Sequence, residues 1–466
     1  MIIQASIVRY FVMFATTAAI CIGCTKSPLL PDTPAKSQTI PAKYFNINAQ
    51  SERDLRQFYW WQSSGVGSLS MIIESALSDN LTLAAAEARF QSYVATVGTF
   101  PNLLRVEANG LQQRSWAGEF RNIRLDSKEV RINLILDLFG LEAQRKRVSD
   151  AQGRVEEANY WAARLSLITT AAKGYIDAAA AKEALEGARR DESIARRNLA
   201  LVDELQSVDG ATAVQLNIAR AQLARSRAER IQLEGELDAR VAGLAVLVGK
   251  NRQDVDPTIL GRLRNFEPSV PGSIGLPVDL VRNRPDIRAA EQNYIIALRR
   301  VDVARAERLP NIVIEGVYEE SDNVDTQFFD LTLAQPLFAQ GQLRRNVFGR
   351  RISAEEAYLE WRSEVVSGIS EVEQNYVAYH TFRKALIQSR VALRELEKAL
   401  EVSNELLREQ RITAIDLLNL QRDVAGQRLT TAALNRAMAT SYVDLMAALG
   451  AGYLPPSAPA LEKGTE

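Results

Sequence analysis

Glu129-Val-Arg-Ile-Asn-Leu-Ile-Leu-Asp-Leu138 alternates, with Val130, Ile132, Leu134, Leu136 and Leu138 on one side and Glu129, Arg131, Asn133 and Asp137 on the other. A period of two is the period of a strand. A run of about ten residues that is apolar on one face and charged on the other fits a membrane β-barrel, and on pattern alone also a half-buried sheet. Three more runs share the pattern: Leu104, Val106 and Ala108 against Arg105, Glu107 and Asn109; Ile312, Ile314 and Tyr318 against Asn311, Glu315 and Glu319; Phe329, Leu331 and Leu333 against Asp330 and Thr332. Each pair is entered from a helix through proline, at Phe100-Pro101 and Leu309-Pro310. Strands are therefore expected at about 102–112, 129–138, 311–319 and 328–337.

Outward from the strands the chain repeats itself. Tyr175-Ile-Asp matches Tyr376-Val-Ala, Ala213-Val-Gln-Leu216 matches Ala414-Ile-Asp-Leu417, and Val248-Gly249 matches Leu449-Gly450, all at one spacing of 201 (376 − 175). A constant offset marks one structural unit used twice. The unit is helix–strand–strand–helix–helix, with repeat 1 over 71–250, a linker over 251–276, repeat 2 over 277–450 and a tail over 451–466. Long proline-free helices are expected at 141–205 and 343–409, and shorter returning helices at 213–248 and 414–449. At 1.5 Å per residue the long ones run on the order of 100 Å and need partners along their length. Leu386, Leu393, Leu400 and Leu407 form one heptad stripe and Ala181, Ala188, Ala195 and Val202 another, as in coiled-coil packing. From Pro101 to Gly140 is eight residues more than from Pro310 to Gly341 (39 against 31), and the excess falls in Gln113–Lys128, expected as an extracellular hairpin loop.

Four strands cannot close a barrel, and an open sheet edge cannot sit in lipid. Oligomerisation follows, and three copies give twelve strands above twelve helices.

The chain opens with a weakly charged start and an apolar run from Tyr10 to about Cys21, read as a signal peptide over 1–23. Gly23 before Cys24 fits a lipoprotein cleavage site, which makes Cys24 the expected lipidated residue, followed by a tether and equatorial segment over 24–70. The other reading is an ordinary signal cut nearby. The two cysteines, Cys21 and Cys24, then leave no disulfide in the mature chain. A net charge of −1 and the lack of a basic arm speak against nucleic acid. The single histidine, His380, has no ligand-spaced partner, and no catalytic, metal or phosphate-loop motif occurs, so neither an enzyme nor a cofactor is expected.

Gly275-Leu276-Pro277, Arg284-Pro285-Asp286-Ile287 and Glu291, with Ala304-Arg305-Ala306 after them, resemble the signature of the TolC-like outer membrane factors, in the lipoprotein branch that serves tripartite efflux pumps. Leu77, Asn80, Leu83 and Ala88-Arg89 resemble the first-repeat counterpart, and Asp137-Leu-Phe-Gly140 the strand-to-helix turn. The resemblance covers about Trp60 to Gly450. It implies a homotrimer with a β-barrel in the outer membrane, an α-barrel in the periplasm, and an equatorial domain around Tyr44–Ser70, Lys250–Ile274 and the C-terminus. It also implies a periplasmic adaptor and an inner-membrane pump as partners, outer-membrane lipid around the barrel, and a gate ringed by carboxylates at the periplasmic end. The gate's first carboxylate falls on Asp416 and its second on Asn419, which is not acidic, with Asp209 a further candidate and Arg411 and Arg422 as basic neighbours. Asp416 also reads as a helix-start carboxylate facing the dipole. The family's usual tip-turn and post-tryptophan motifs are altered here, at Val208–Thr212, Arg411–Thr413 and after Trp60-Trp61. The implied function is the exit duct for small molecules such as drugs, toxic compounds or metal ions. A type I protein-secretion exit and a coiled-coil lipoprotein without a pore are the alternatives.

Overall fold

The computed structural model describes residues 41, 44, 55–97, 104–116, 122–137, 139–207, 211–266, 268, 277–321, 324–335, 338–409 and 411–455. The expected signal peptide, Cys24, Asp209, Gly275 and Leu276 lie outside them.

Two helices, α1 (Gly67–Asp79) and α2 (Leu81–Val97), lead into strands β1 (Leu104–Trp116) and β2 (Asn122–Leu136). Helix α3 (Leu141–Ser207) then runs for 67 residues and α4 (Ala213–Leu247) returns for 35. The second unit repeats the order: α5 (Pro277–Asn283), α6 (Pro285–Ala306), β3 (Asn311–Ser321), β4 (Val324–Ala334), α7 (Gln340–Arg408, 69 residues) and α8 (Ala414–Ala448, 35 residues).

The strands form one antiparallel sheet in the order β1-β2-β3-β4, so β1 and β4 are its edges. The register carries apolar residues across the strands, Leu134 opposite Ile314 and Ile314 opposite Leu331. On the other face, Arg131 lies opposite Val317, and its guanidinium pairs with Glu129 at 2.5 Å and Glu315 at 2.6 Å. One face is therefore an apolar band and the other carries ion pairs, as the period of two demands.

The first hairpin departs from expectation. The ladder runs through Gln112↔Asp126 to Trp116↔Asn122, so most of Gln113–Lys128 is paired strand and not loop. The apolar alternation fades there, but backbone pairing needs no apolar face where water covers both sides. In the second hairpin β4 begins earlier than expected, at Val324, and pairs Ser321 directly.

Helix α3 packs on α4, on α6 and on α8, while α7 packs on α6 and α8. The heptad stripes explain the length of these contacts. Ala181, Ala188, Ala195 and Val202 of α3 are buried, as are Leu386, Leu400 and Leu407 of α7, with Leu393 packed beside them. Small residues let the helix axes approach closely.

Each returning helix ends where the short upper helix of its own repeat begins. Gly249 and Gly450, both at φ +65°, end α4 and α8 in a left-handed turn in which Lys250 N–H and Ala451 N–H reach back to the carbonyls of Ala245 and Met446. A Cβ on Gly249 would stand 2.3 Å from the Asp79 carbonyl oxygen, and one on Gly450 2.6 Å from that of Asn283. The end of α4 thus meets the start of α2, and the end of α8 meets the start of α6. The chain builds four helical columns: α2 with α4, α3, α6 with α8, and α7.

A belt surrounds the middle of the columns. Trp60, Trp61, Phe266, Tyr175 and Tyr442 are buried together, and Trp60 meets Tyr442 edge-on at 5.7 Å. Gly261 N–H donates to the Tyr175 hydroxyl at 2.8 Å, which also bonds Ser68 at 2.6 Å. The C-terminal segment is tied in by Gly452 N–H to the Leu55 carbonyl and by the Tyr59 hydroxyl to that of Leu454.

Candidate channel wall and gate

Both returning helices start in the same way. Thr212 and Thr413 are N-caps whose hydroxyls accept from the backbone N–H three residues on, and the third residue's side chain reaches back. That residue is Gln215 in repeat 1 and Asp416 in repeat 2. Asp416 Oδ2 accepts from Thr413 N–H at 3.0 Å and from its hydroxyl at 2.6 Å. These bonds to the Thr413 hydroxyl and backbone hold the Asp416 carboxyl below the ordinary aspartate value. The carboxylate is exposed, on the first turn of α8, and so is Asn419 one turn on.

Of the basic neighbours, Arg411 pairs with Glu409 at 3.4 Å, on its own side of the turn. Arg422 is exposed. Just above the turn a small core of Val202, Leu216, Leu400, Leu407, Leu417 and Val424 holds the two helical hairpins together.

Higher up, α3 and α8 are linked by ion pairs at three levels. Lys173 pairs with Asp444, Asp177 with Arg436 at 2.6 Å, and Asp191 with Arg428 at 2.5 Å. Arg428 also holds Glu397 of α7 at 2.9 Å. Burial pushes the Asp191 carboxyl up, against the attraction of Arg428 and Arg190. These pairs join the two repeats, and nothing in the sequence announces them, because the Asp191 and Asp177 pairs link positions 237 and 259 residues apart. Charge alone on a heptad helix does not identify its partner.

The family-type signature residues sit at the α8–α6 junction. Pro277 starts α5, Pro285 starts α6, and Arg284 between them is buried. Its guanidinium holds Asp286 at 2.6 Å and Glu371 of α7 at 2.5 Å, and donates to the Ala448 carbonyl at 3.2 Å. Burial opposes its charge, but hydrogen bonds and attraction from Asp286 and Glu371 hold its pKa above the ordinary arginine value. Burial acts on the Asp286 carboxyl too, yet the same contact with Arg284 holds it low. Glu291 is on α6, its carboxyl pushed up by burial. His380 lies between the rings of Tyr376 and Tyr379, at 4.4 and 5.1 Å. Burial and the nearby Arg383 and Lys384 lower its pKa.

A membrane sheet, helical columns that extend well beyond it and an acidic turn at their far end describe a duct. Comparison with known proteins agrees. The family model for outer membrane efflux proteins matches residues 72–250 and 276–451, the two repeats. Nodulation protein T of Rhizobium leguminosarum bv. viciae is 27% identical over 453 residues, 91% of each chain. The pyoverdine export outer membrane protein OpmQ of Pseudomonas aeruginosa is 24% identical, over 92% of this chain and 94% of that one. The open state of the Neisseria gonorrhoeae MtrE outer membrane channel superposes with a TM-score of 0.78 at 21% identity, covering 91% of this chain and 98% of that one. The chain belongs to the outer membrane efflux protein family and is a TolC-like outer membrane exit channel of an efflux system, its helices extending into the periplasm.

Proposed function

We propose that three copies of this chain form one duct that receives its cargo from a periplasmic adaptor and an inner-membrane pump. The observation that carries the assembly is the sheet: β1 and β4 are edges with no partner among the described residues, and unpaired backbone in hydrocarbon costs several kcal/mol per group. Three copies joined β4 to β1 close twelve strands from four each. The outer columns fit the same arrangement, since α7 carries exposed Ile352, Leu359 and Val366 and the α2–α4 column carries Leu81, Val94, Ile231 and Val246. Each apolar stripe would be covered by the next copy.

At the periplasmic end three Asp416 carboxylates would ring the axis, with Gln215 at the equivalent place in repeat 1 alternating with them. Charges near a surface interact by at most a few kcal/mol at an effective dielectric of ~20, enough to favour cations without sealing the pore. Asp209 is the second candidate for this ring, and Cys24 is the proposed site of lipid attachment. Cargo of the kinds named for relatives, pyoverdine or cations, is compatible with such a gate.

Planar-bilayer recording tests the gate. Asp416→Asn is expected to lower cation selectivity and weaken block by trivalent cations while conductance persists. Unchanged reversal potentials and block would move the gate elsewhere. A stable monomer in detergent, by mass, would sink the assembly, and failure of labelled palmitate to enter the wild type would sink Cys24.

A further inference from the structure

We propose that the periplasmic shoulder of the barrel, where α6 ends and α7 begins, is a binding surface for the headgroups of anionic phospholipids in the inner leaflet of the outer membrane. The two stretches 299–309 and 340–351 hold eight arginines against two carboxylates, Asp302 and Glu307. Those carboxylates are already engaged: Asp302 by Arg299 and Arg305, and Glu307 by Arg145 of α3. Arg300, Arg308, Arg344, Arg345, Arg350 and Arg351 make no ion pair with any described residue. Arg300 lines a cleft that Glu156 of α3 also lines, and the Arg308 Nε is buried, so in a chain whose net charge is −1 the unpaired cluster is Arg344, Arg345, Arg350 and Arg351 at the start of α7.

That place is next to the membrane. Arg308 is three residues before β3 (311 − 308), and Arg344 is ten residues after β4 (344 − 334). The segment 340–351 rises about 18 Å along the helix, and the headgroup layer is roughly 5–8 Å deep on each side of the hydrocarbon. Arg344 and Arg345, about 6–8 Å along the helix, lie at that depth, and the long side chains of Arg350 and Arg351, about 15–17 Å along, reach toward it. Phe338 at the β4–α7 turn is fully exposed and Phe139 at the β2–α3 turn half-exposed, the positions of interfacial aromatic anchors. The arginine surface is thus continuous with the lipid-facing band of the sheet. The neighbouring copy neutralises it only in part. On the trimeric reading, which this inference rests on, the column of the next copy beside α7 is α2, whose one carboxylate, Glu87, lies ten residues below its upper end (97 − 87), at the level of Arg350 (350 − 340), one acid against four arginines. Cations also gain nothing from the start of α7, which has no acidic residue in its first turn and a dipole of the same sign. Clustered guanidinium groups at an interface select phosphate-bearing, net-negative lipids, phosphatidylglycerol or cardiolipin, over zwitterionic ones.

The test is native mass spectrometry of the full-length protein released from vesicles of equal parts phosphatidylglycerol and phosphatidylcholine. The wild-type trimer is expected to retain phosphatidylglycerol by about ten-fold over phosphatidylcholine, falling toward parity in high salt, since the attraction of guanidinium groups to an anionic leaflet is screened by ions. The quadruple variant R344Q/R345Q/R350Q/R351Q should lose most of that preference, and the matching quadruple Lys variant should restore much of it. Equal retention of the two lipids by wild type, or an undiminished preference in the Gln variant, would overturn the proposal. So would competition by millimolar inorganic phosphate as strong as by lipid, which would make this a free-anion site. A Gln variant that changes only the ion selectivity of the open channel would place the arginines on the lumen and overturn it too. A trimer without lipid preference defeats this inference alone, whereas monomers in the same spectra defeat the assembly reading.

Discussion

Asn80 and Arg284 do the same job in the two repeats: Asn80 Nδ2 donates to the carbonyl of Leu247 at the end of α4, and Arg284 Nη1 donates to that of Ala448 at the end of α8. Leu247 and Ala448 are 201 positions apart (448 − 247), whereas Asn80 and Arg284 are 204 apart (284 − 80). The offset changes because α6 has 22 residues and α2 has 17, and the first hairpin is longer. Asn80 also caps α2, its Oδ1 accepting from Thr82 and Leu83 N–H at 3.0 Å. In repeat 2 the two roles are divided, with Arg284 donating to α8 and Asp286 accepting from Ile287 N–H at 2.9 Å.

This division sets a ranking. Arg284→Ala removes a buried cation and leaves Asp286 and Glu371 facing each other, at a cost of about 2 kcal/mol after allowing for the half-exposed carboxylates. Asn80→Ala removes a cap and one neutral hydrogen bond, about 1 kcal/mol. Heat dissociation of the assembled protein should follow that order, and Arg284→Lys should recover only part of the loss because a point charge cannot fork between two carboxylates.

Glycine substitutions separate conformation from crowding. A Cβ at Gly140, φ +73°, would meet nothing within 4 Å, so Gly140→Ala carries only the left-handed backbone cost of about 1 kcal/mol. Gly249→Ala adds a collision with the Asp79 backbone at 2.3 Å and should cost several-fold more, or block assembly, as read by yield of heat-resistant oligomer.

Acid should fray one repeat and not the other. The Asp416 carboxyl is held low in the folded chain, so its contribution is present above the unfolded aspartate value, about 4, and is lost as pH falls through the lower folded value. Gln215, its counterpart, does not titrate. Hydrogen exchange at the start of α8, corrected for the intrinsic pH dependence of exchange, should therefore show less protection at about pH 3 than at about pH 7, while the start of α4 stays protected. Equal loss at both would show that the Asp416 bond to Thr413 is not the cause.

Arg428 and Asp191 should respond unequally. Arg428→Ala leaves Asp191 and Glu397 without their shared cation, and a loss of about 2 kcal/mol is expected. Asp191→Asn should be close to neutral, since burial already disfavours its charge. Thermal melts of the two variants in one detergent check this.

Local period was enough to place the repeat, the strands and the long helices. Alternation at 129–138 and heptads at Ala181–Val202 report a face whatever lies opposite. The chain also marks Asp416 as a helix-start residue, through Thr413 three positions earlier. How far β1 and β2 extend is not legible in the same way, because ladder pairing beyond the apolar band leaves no hydrophobic trace. Neither is the closure of α8 by Arg284 or the span of Arg428 across three helices. Those contacts exist only once the helices are packed, because a long charged side chain can reach several carboxylates and its packed neighbours choose among them.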